Sequence, residues 1–218
     1  MRLNREDALR YLRMQRAGAE QRAALEDAAA LLEARITPRY VYRVFDVQTA
    51  PGGAYLPQAG LLLPGRMAAE MLRECSRAAL LLCTLGAAFD ALMRAWEQRD
   101  MARAVLLDAC GSAYVEAGCD AAEEEIAARH PGLYRTDRFS PGYGDLPLAL
   151  QDDFLRALDG GRRLGVQAAE SHLLIPVKSV TAVIGLAGRQ QRARIRGCGY
   201  CALREECALR KGGASCEI

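Results

Sequence analysis

The sequence predicts an α+β protein: a mostly antiparallel sheet flanked by helices, followed by a short cysteine-rich tail. Three observations predict it. Segments of β-branched and aromatic character, such as YVYRVFDV at 40–47 and SVTAVIGLAG at 179–188, are not separated by a regular βαβ rhythm. The chain of 218 residues is 51% hydrophobic and 26% charged, enough to bury a core. From about Gly197 the composition changes to cysteines, glycines and basic residues.

The elements follow in order. Asn4 before REDALRYL reads as a helix cap with acids in the first turn. A second helix covers roughly Gln21 to Ile36, and Thr37-Pro38 ends it. The strand at 40–47 comes next, then a loop or hairpin over 49–60 and a short strand at 61–65. A helix fits Arg66 to Arg77, and AALLLCTLG at 78–86 suits a fully buried strand. Helical patterns cover Ala87 to Gln98 and then Asp100 to Arg129, as one helix or two, stopped by His130-Pro131-Gly132. A short helix is expected within 148–160, then short strands at 172–176 and 179–188. The expected organisation is a helical segment over 1–36, a main domain over 37–196 and a tail over 197–218.

Net charge is +2 with acids and bases mixed, which gives no case for nucleic acid. No run of eighteen apolar residues is present, so no membrane span is expected. The start, MRLNREDALRYL, lacks the apolar region of a signal peptide, and the expected location is cytoplasmic. There, eight cysteines read as thiols or metal ligands rather than disulfides. Cys75, Cys83, Cys110 and Cys119 lie in apolar contexts and are expected to pack as small hydrophobes. Trp96, Phe89 and Leu92 share a helical spacing and are expected in the core. The acidic run at 123–125 is expected to form a solvated helix face. His130 and His172 have no spaced partners for a metal site or a triad.

The stretch RFSPGYGDLP, 138–147, carries the chemistry. Two prolines and two glycines exclude a helix interior or a central strand. Such a stretch can be plain turn punctuation. Against that, Arg138 can pair bidentately with a carboxylate or phosphate. Gly142 and Gly144 allow backbone amides to approach a ligand closely. Tyr143, between two glycines, can project outward. Together they suggest a small anionic or zwitterionic ligand. Neither a P-loop nor a dinucleotide fingerprint is present.

With Arg138, Pro141, Gly142 and Tyr143 in an R-x-x-P-G-Y pattern, the chain resembles the S-adenosylmethionine-binding activation domain of vitamin B12-dependent methionine synthase, in its free-standing form. The segment GVQAAESHLLIPVKSV adds Gly165, Glu170-Ser171, Pro176 and Ser179-Val180 in matching order and spacing, and LLCTLGAAFD with DMARAVLLDACGSAYVEAGCD adds to the likeness. The resemblance covers roughly residues 40–190. It implies a module that binds S-adenosylmethionine and supports reductive methylation of cob(II)alamin, the cobalamin being carried by a partner methionine synthase and the electron coming from flavodoxin or another donor. Arg138 would then pair with the ligand's carboxylate, and Pro141, Gly142 and Gly144 would shape backbone contacts. Tyr143 would stand near the corrin face, which makes it the chain's candidate for a role in the chemical step. Glu116 resembles a family glutamate near the cationic end of the ligand, although a solvated helix face is a competing reading. Glu170 and Ser171 would support the loop. Asp145 departs from the large synthases: it is either a cap for the helix after the loop or a further ligand contact. No D-x-H-x-x-G cobalamin motif occurs in the chain. Two other functions fit the same residues: an accessory or redox protein for another corrinoid methyltransferase, and a non-catalytic S-adenosylmethionine-binding protein.

The tail, CGYCALREECALRKGGASCEI, holds Cys198, Cys201, Cys207 and Cys216. Four clustered thiols can hold zinc or an iron–sulfur cluster, and the alternative is no metal at all.

Overall fold

A computed structural model describes residues 1–14, 16–191, 206 and 211. The order of elements is α1 (Arg5–Tyr11), α2 (Ala19–Arg35), β1 (Arg39–Asp46), β2 (Gln48–Ala50), β3 (Gly53–Leu56), β4 (Leu61–Pro64), α3 (Arg66–Leu72), β5 (Cys75–Thr84), α4 (Ala87–Glu97), α5 (Met101–Arg129), β6 (Tyr134–Arg135), α6 (Leu150–Leu158), α7 (Gly160–Leu164), β7 (Gln167–Ala168), β8 (Leu174–Ile175) and β9 (Ser179–Ala187). The strands form a four-stranded sheet of order β1-β5-β9-β6, a three-stranded sheet β2-β3-β4 and a two-stranded ribbon β7-β8. The β2–β3, β3–β4, β6–β9 and β7–β8 pairings are antiparallel. The class is α+β, as the sequence predicts.

Two compact units divide the chain. The first gathers Met1–Val41, Leu82–Glu124 and Asp159–Val180; the second gathers Tyr42–Leu81, Glu125–Leu158 and Thr181–Ile218. Residues 1–36 therefore share a unit with segments far along the sequence.

In the first unit, Asn4 caps α1 as expected, its side-chain oxygen accepting from the Glu6 and Asp7 amides. Arg5 then ties α1 to α2. Its guanidinium donates to Glu26 at 2.9 and 3.0 Å and to Glu33 at 2.8 and 2.9 Å. These bonds hold both carboxyls below the usual range and raise the guanidinium above its own. The start of β9 and the residue before it are pinned by hydroxyls and charge: Ser179 Oγ lies 2.8 Å from Thr84 Oγ1, and Lys178 pairs with Asp108 at 2.9 Å.

The second unit holds the β2-β3-β4 sheet, whose β3 and β4 pack against α3. In β5, Ala78–Thr84 are all buried, which fits the continuous apolar run. A fully buried leucine contributes about 1.5–3 kcal/mol. Helix α6 buries Leu150, Phe154 and Leu158, a stripe four residues apart.

Several elements differ from expectation. Helix α3 stops at Leu72 instead of Arg77, because the strand claims Cys75 onward. The stretch 100–129 is one helix, not two. Short α7 and β6 were not evident in the sequence. Trp96 is half-buried, not core: the Arg103 guanidinium lies 5.3 Å from its ring centroid, while Phe89 and Leu92 are buried. The acidic run is not wholly solvated, since half-buried Glu125 accepts from the Tyr42 hydroxyl at 3.2 Å and pairs with Arg129 at 2.7 Å. Cys75, Cys83, Cys110 and Cys119 are buried thiols, as expected. Burial pushes Cys75 up to about 11 and Cys110 up to about 12, so both stay protonated at neutral pH.

Candidate functional site

The loop 138–147 lies within the second unit, and strand β9 brackets it. Before the loop, the Thr136 amide donates to the Gly185 carbonyl at 3.0 Å, and the Thr136 hydroxyl accepts from the Gly185 amide at 2.8 Å. At its start, Phe139 and Val183 exchange two backbone bonds, of 3.1 and 2.8 Å. Beyond it, α6 carries buried Gln151, whose side-chain oxygen accepts from the Thr181 hydroxyl of β9. Both ends of the loop are thus stitched to one strand.

Inside the loop the backbone closes on itself. Gly142 N donates to Leu146 O at 2.8 Å, Tyr143 N to Ser140 O at 3.1 Å, and Leu146 N to Tyr143 O at 3.1 Å. Gly142 adopts φ 90° and Gly144 φ 58°, conformations that L side chains seldom take. Because the Gly142 amide is committed within the loop, a ligand contact from that residue falls to its carbonyl. Pro141 is buried and Arg138 half-buried, whereas Gly142, Gly144 and Asp145 are exposed. Tyr143 is 36% exposed.

Asp145 fixes the crown of the loop in a way the sequence did not suggest. Its carboxylate accepts from the Arg66 amide at 2.6 Å and the Met67 amide at 3.2 Å. Asp145 therefore caps a helix, but the helix is α3, not the one that follows the loop. Gly65 makes the approach possible. It has φ 105°, and a Cβ there would lie 2.8 Å from the Asp145 carboxyl carbon. One local signal was available: α3 opens with Leu-Pro-Gly and no Ser, Thr, Asp or Asn at the cap. A helix start without its own cap needs a donated one.

Glu116 stands in α5, in the first unit, half-buried. Burial first, and then the Glu116 charge, push the Tyr11 phenol of α1 up. Glu170 and Ser171 are exposed at the tip of the β7–β8 ribbon, also in the first unit, where the Ala169 amide donates to Leu173 O at 2.9 Å. Cys198, Cys201, Cys207 and Cys216 lie outside the described residues. Among the described residues no cluster of His, Cys, Asp or Glu could hold a metal, and no helix is long and apolar enough to cross a membrane.

The arrangement is a clasp held by its own backbone bonds and by Asp145, with a partly exposed tyrosine at its crown and the half-buried Arg138 at its start. Such a surface suits positioning of a small zwitterion more than proton transfer. A solved structure, the crystal structure of the MetH reactivation domain bound to AdoHcy, is similar to this chain. The TM-score is 0.64 and the identity 16%, over 94% of this chain and 77% of that one. The chain therefore has a fold like that of the methionine synthase reactivation domain. No protein-family model matches the sequence, and no curated protein does.

Proposed function

We propose that the chain is a reactivation module that binds S-adenosylmethionine at the 138–147 clasp and serves a cobalamin-carrying methionine synthase. One observation carries the reading. The R-x-x-P-G-Y residues form a loop pinned at three points, within a fold shared with a domain solved with AdoHcy. The residues present fit such a ligand: a guanidinium for its carboxylate, glycine backbone for close approach, and an exposed tyrosine.

When bound, S-adenosylmethionine supplies a methyl group already activated by its sulfonium, and the acceptor is the partner's cobalamin. Arg138 anchors the carboxylate through a charge-assisted pair. The carbonyls at the glycines orient the ligand, and Tyr143 borders the place where the partner arrives. The clasp acts by holding a geometry, and no acid or base on the loop is required. The electron comes from a separate donor, a flavodoxin or its equivalent.

The test is calorimetric titration of the full chain with S-adenosylmethionine, alone and beside a cobalamin-loaded partner domain. Saturable binding is expected, weakened at least tenfold in Arg138→Ala, with the circular dichroism spectrum unchanged. Unaltered affinity in that variant would remove Arg138 from the site. Absence of binding both alone and with the partner would overturn the function.

A further inference from the structure

We infer that Thr136 is a positioning residue: it holds a β-bulge that keeps Arg138 out of the buried row of the sheet and leaves it at the start of the clasp. The inference rests on the proposed function, which gives Arg138 its ligand.

The bulge is read from the register. β6 pairs antiparallel with β9, Tyr134 opposite Ala187 and Arg135 opposite Leu186. The next pair follows in step, because the Thr136 amide donates to the Gly185 carbonyl at 3.0 Å. The bridge after that is out of step by one residue, with Phe139 opposite Val183. Asp137 and Arg138 together therefore stand across from Ile184 alone. Two residues against one make a bulge, a device that re-aims side chains beside functional sites.

The extra residue decides which side chain is buried. Residues two apart on a strand share a face, and directly opposed residues share it too. Gly185 and Val183 are two apart, so the residues opposite them belong to one face. Both are buried there, Thr136 at 5% exposure and Phe139 at 3%. In an unbroken ladder the place opposite Val183 would fall to Arg138, and a guanidinium would be driven into the core at a high cost. The bulge gives that place to Phe139 and leaves Arg138 half-buried.

Thr136 holds the bulge closed. In a regular hydrogen-bonded antiparallel pair, each carbonyl accepts from the opposite amide. Here the Gly185 amide donates to the Thr136 hydroxyl at 2.8 Å, in the carbonyl's place. The same hydroxyl donates to the Asp137 carbonyl at 2.9 Å. Gly185 makes room for this: a Cβ there would lie 2.9 Å from Thr136 Cγ2 and 2.5 Å from Cys75 Sγ. The hydroxyl bonds only to backbone around the bulge, so its effect on a ligand passes through Arg138.

The test compares Thr136→Val, which keeps the shape without the hydroxyl, with Thr136→Ser, which keeps the hydroxyl. Each is made in the wild-type chain and in Arg138→Ala, checked for folding by circular dichroism, and titrated with S-adenosylmethionine, alone and beside a cobalamin-loaded partner domain. Thr136→Val should bind about tenfold more weakly than wild type, and Thr136→Ser within about threefold of it. In the Arg138→Ala background Thr136→Val should cost nothing further, because residues that act through one contact are not additive. Unaltered affinity in Thr136→Val, or the same loss in both backgrounds, would overturn the proposal. A second readout needs no ligand. The Arg138 Nε–Hε nuclear magnetic resonance signal, assigned by its absence in Arg138→Lys, should move in Thr136→Val and stay in place in Thr136→Ser. If wild type binds nothing under either condition, the proposed function fails on its own, and a signal that does not move in Thr136→Val then rejects the positioning role as well. If Thr136→Val does not fold, hydrogen exchange of the wild-type chain decides: the Gly185 amide should be as protected as that of Val183, and rapid exchange at Gly185 would mean that the hydroxyl does not hold the bulge.

Discussion

The loop at 138–147 and the β7–β8 ribbon at 167–175 look alike as sequence but differ as structure. Both are short, irregular and outside the helices. The loop is bonded to β9 before and after its crown, and its Asp145 grips the first turn of α3. The ribbon has two residue pairs of its own, Gln167 with Ile175 and Ala168 with Leu174. Leu173, Ile175 and Val177 are exposed, although Ile175 is one of the paired residues. The comparison teaches that a loop's rigidity comes from the groups that tie it down, not from its own prolines and glycines. The loop proposed to hold a ligand is the one whose ties are dense.

The contrast can be broken most strongly at Gly65. Gly65→Val places a branched side chain at φ 105° against the Asp145 carboxyl. A loss of about 3 kcal/mol is expected, measured by urea unfolding. Asp145→Ala removes the cap and leaves two α3 amides without it. The expected cost is about 1–2 kcal/mol, and the proposed function adds weaker S-adenosylmethionine binding because the crown is released. If stability stays level in Asp145→Ala, the third tie is not one.

The first unit offers a comparison of another kind at Arg5. Arg5→Ala should cost about 1 kcal/mol, since a bidentate, partly buried pair exceeds an ordinary surface bridge. The sign with pH follows from the lowered Glu33 and Glu26 values. Their contribution is fully present above the ordinary glutamate range and is lost as pH falls through the lowered folded values. Wild type should therefore lose more stability than Arg5→Ala on going from pH 6 to pH 3. Equal acid slopes would show that the pair contributes nothing. The smallest effect belongs to the ribbon: Ile175→Ser should change stability by less than about 0.5 kcal/mol. A larger loss would mean that the ribbon is tied more firmly than its bonds indicate.

Much of the fold was legible because its signals are local. Asn4 announces α1, Thr37-Pro38 ends α2, and the apolar run 78–84 is the buried part of β5. The loop and its residue types were legible for the same reason. What was hidden depends on distant partners. Asp145 and Arg66 are 79 positions apart, so no window of sequence displays the cap. β6 is two residues long and exists only through its pairing with Ala187 and Leu186. Trp96 carries an apolar signal, but it stays half-buried with the Arg103 guanidinium beside its ring. The end of α3 is hidden for the same reason: Glu74 and Cys75 suit a helix until the strand claims Cys75.

Gly65 and Asp145 also bear on engineering. The two positions depend on each other: a side chain at the first displaces the carboxylate at the second, and loss of the second uncaps the helix that the first begins. Transplanting the ten residues of the clasp into another scaffold would carry over the arginine and the tyrosine but leave the anchor behind. The structural unit is therefore discontinuous, two short segments that each complete the other.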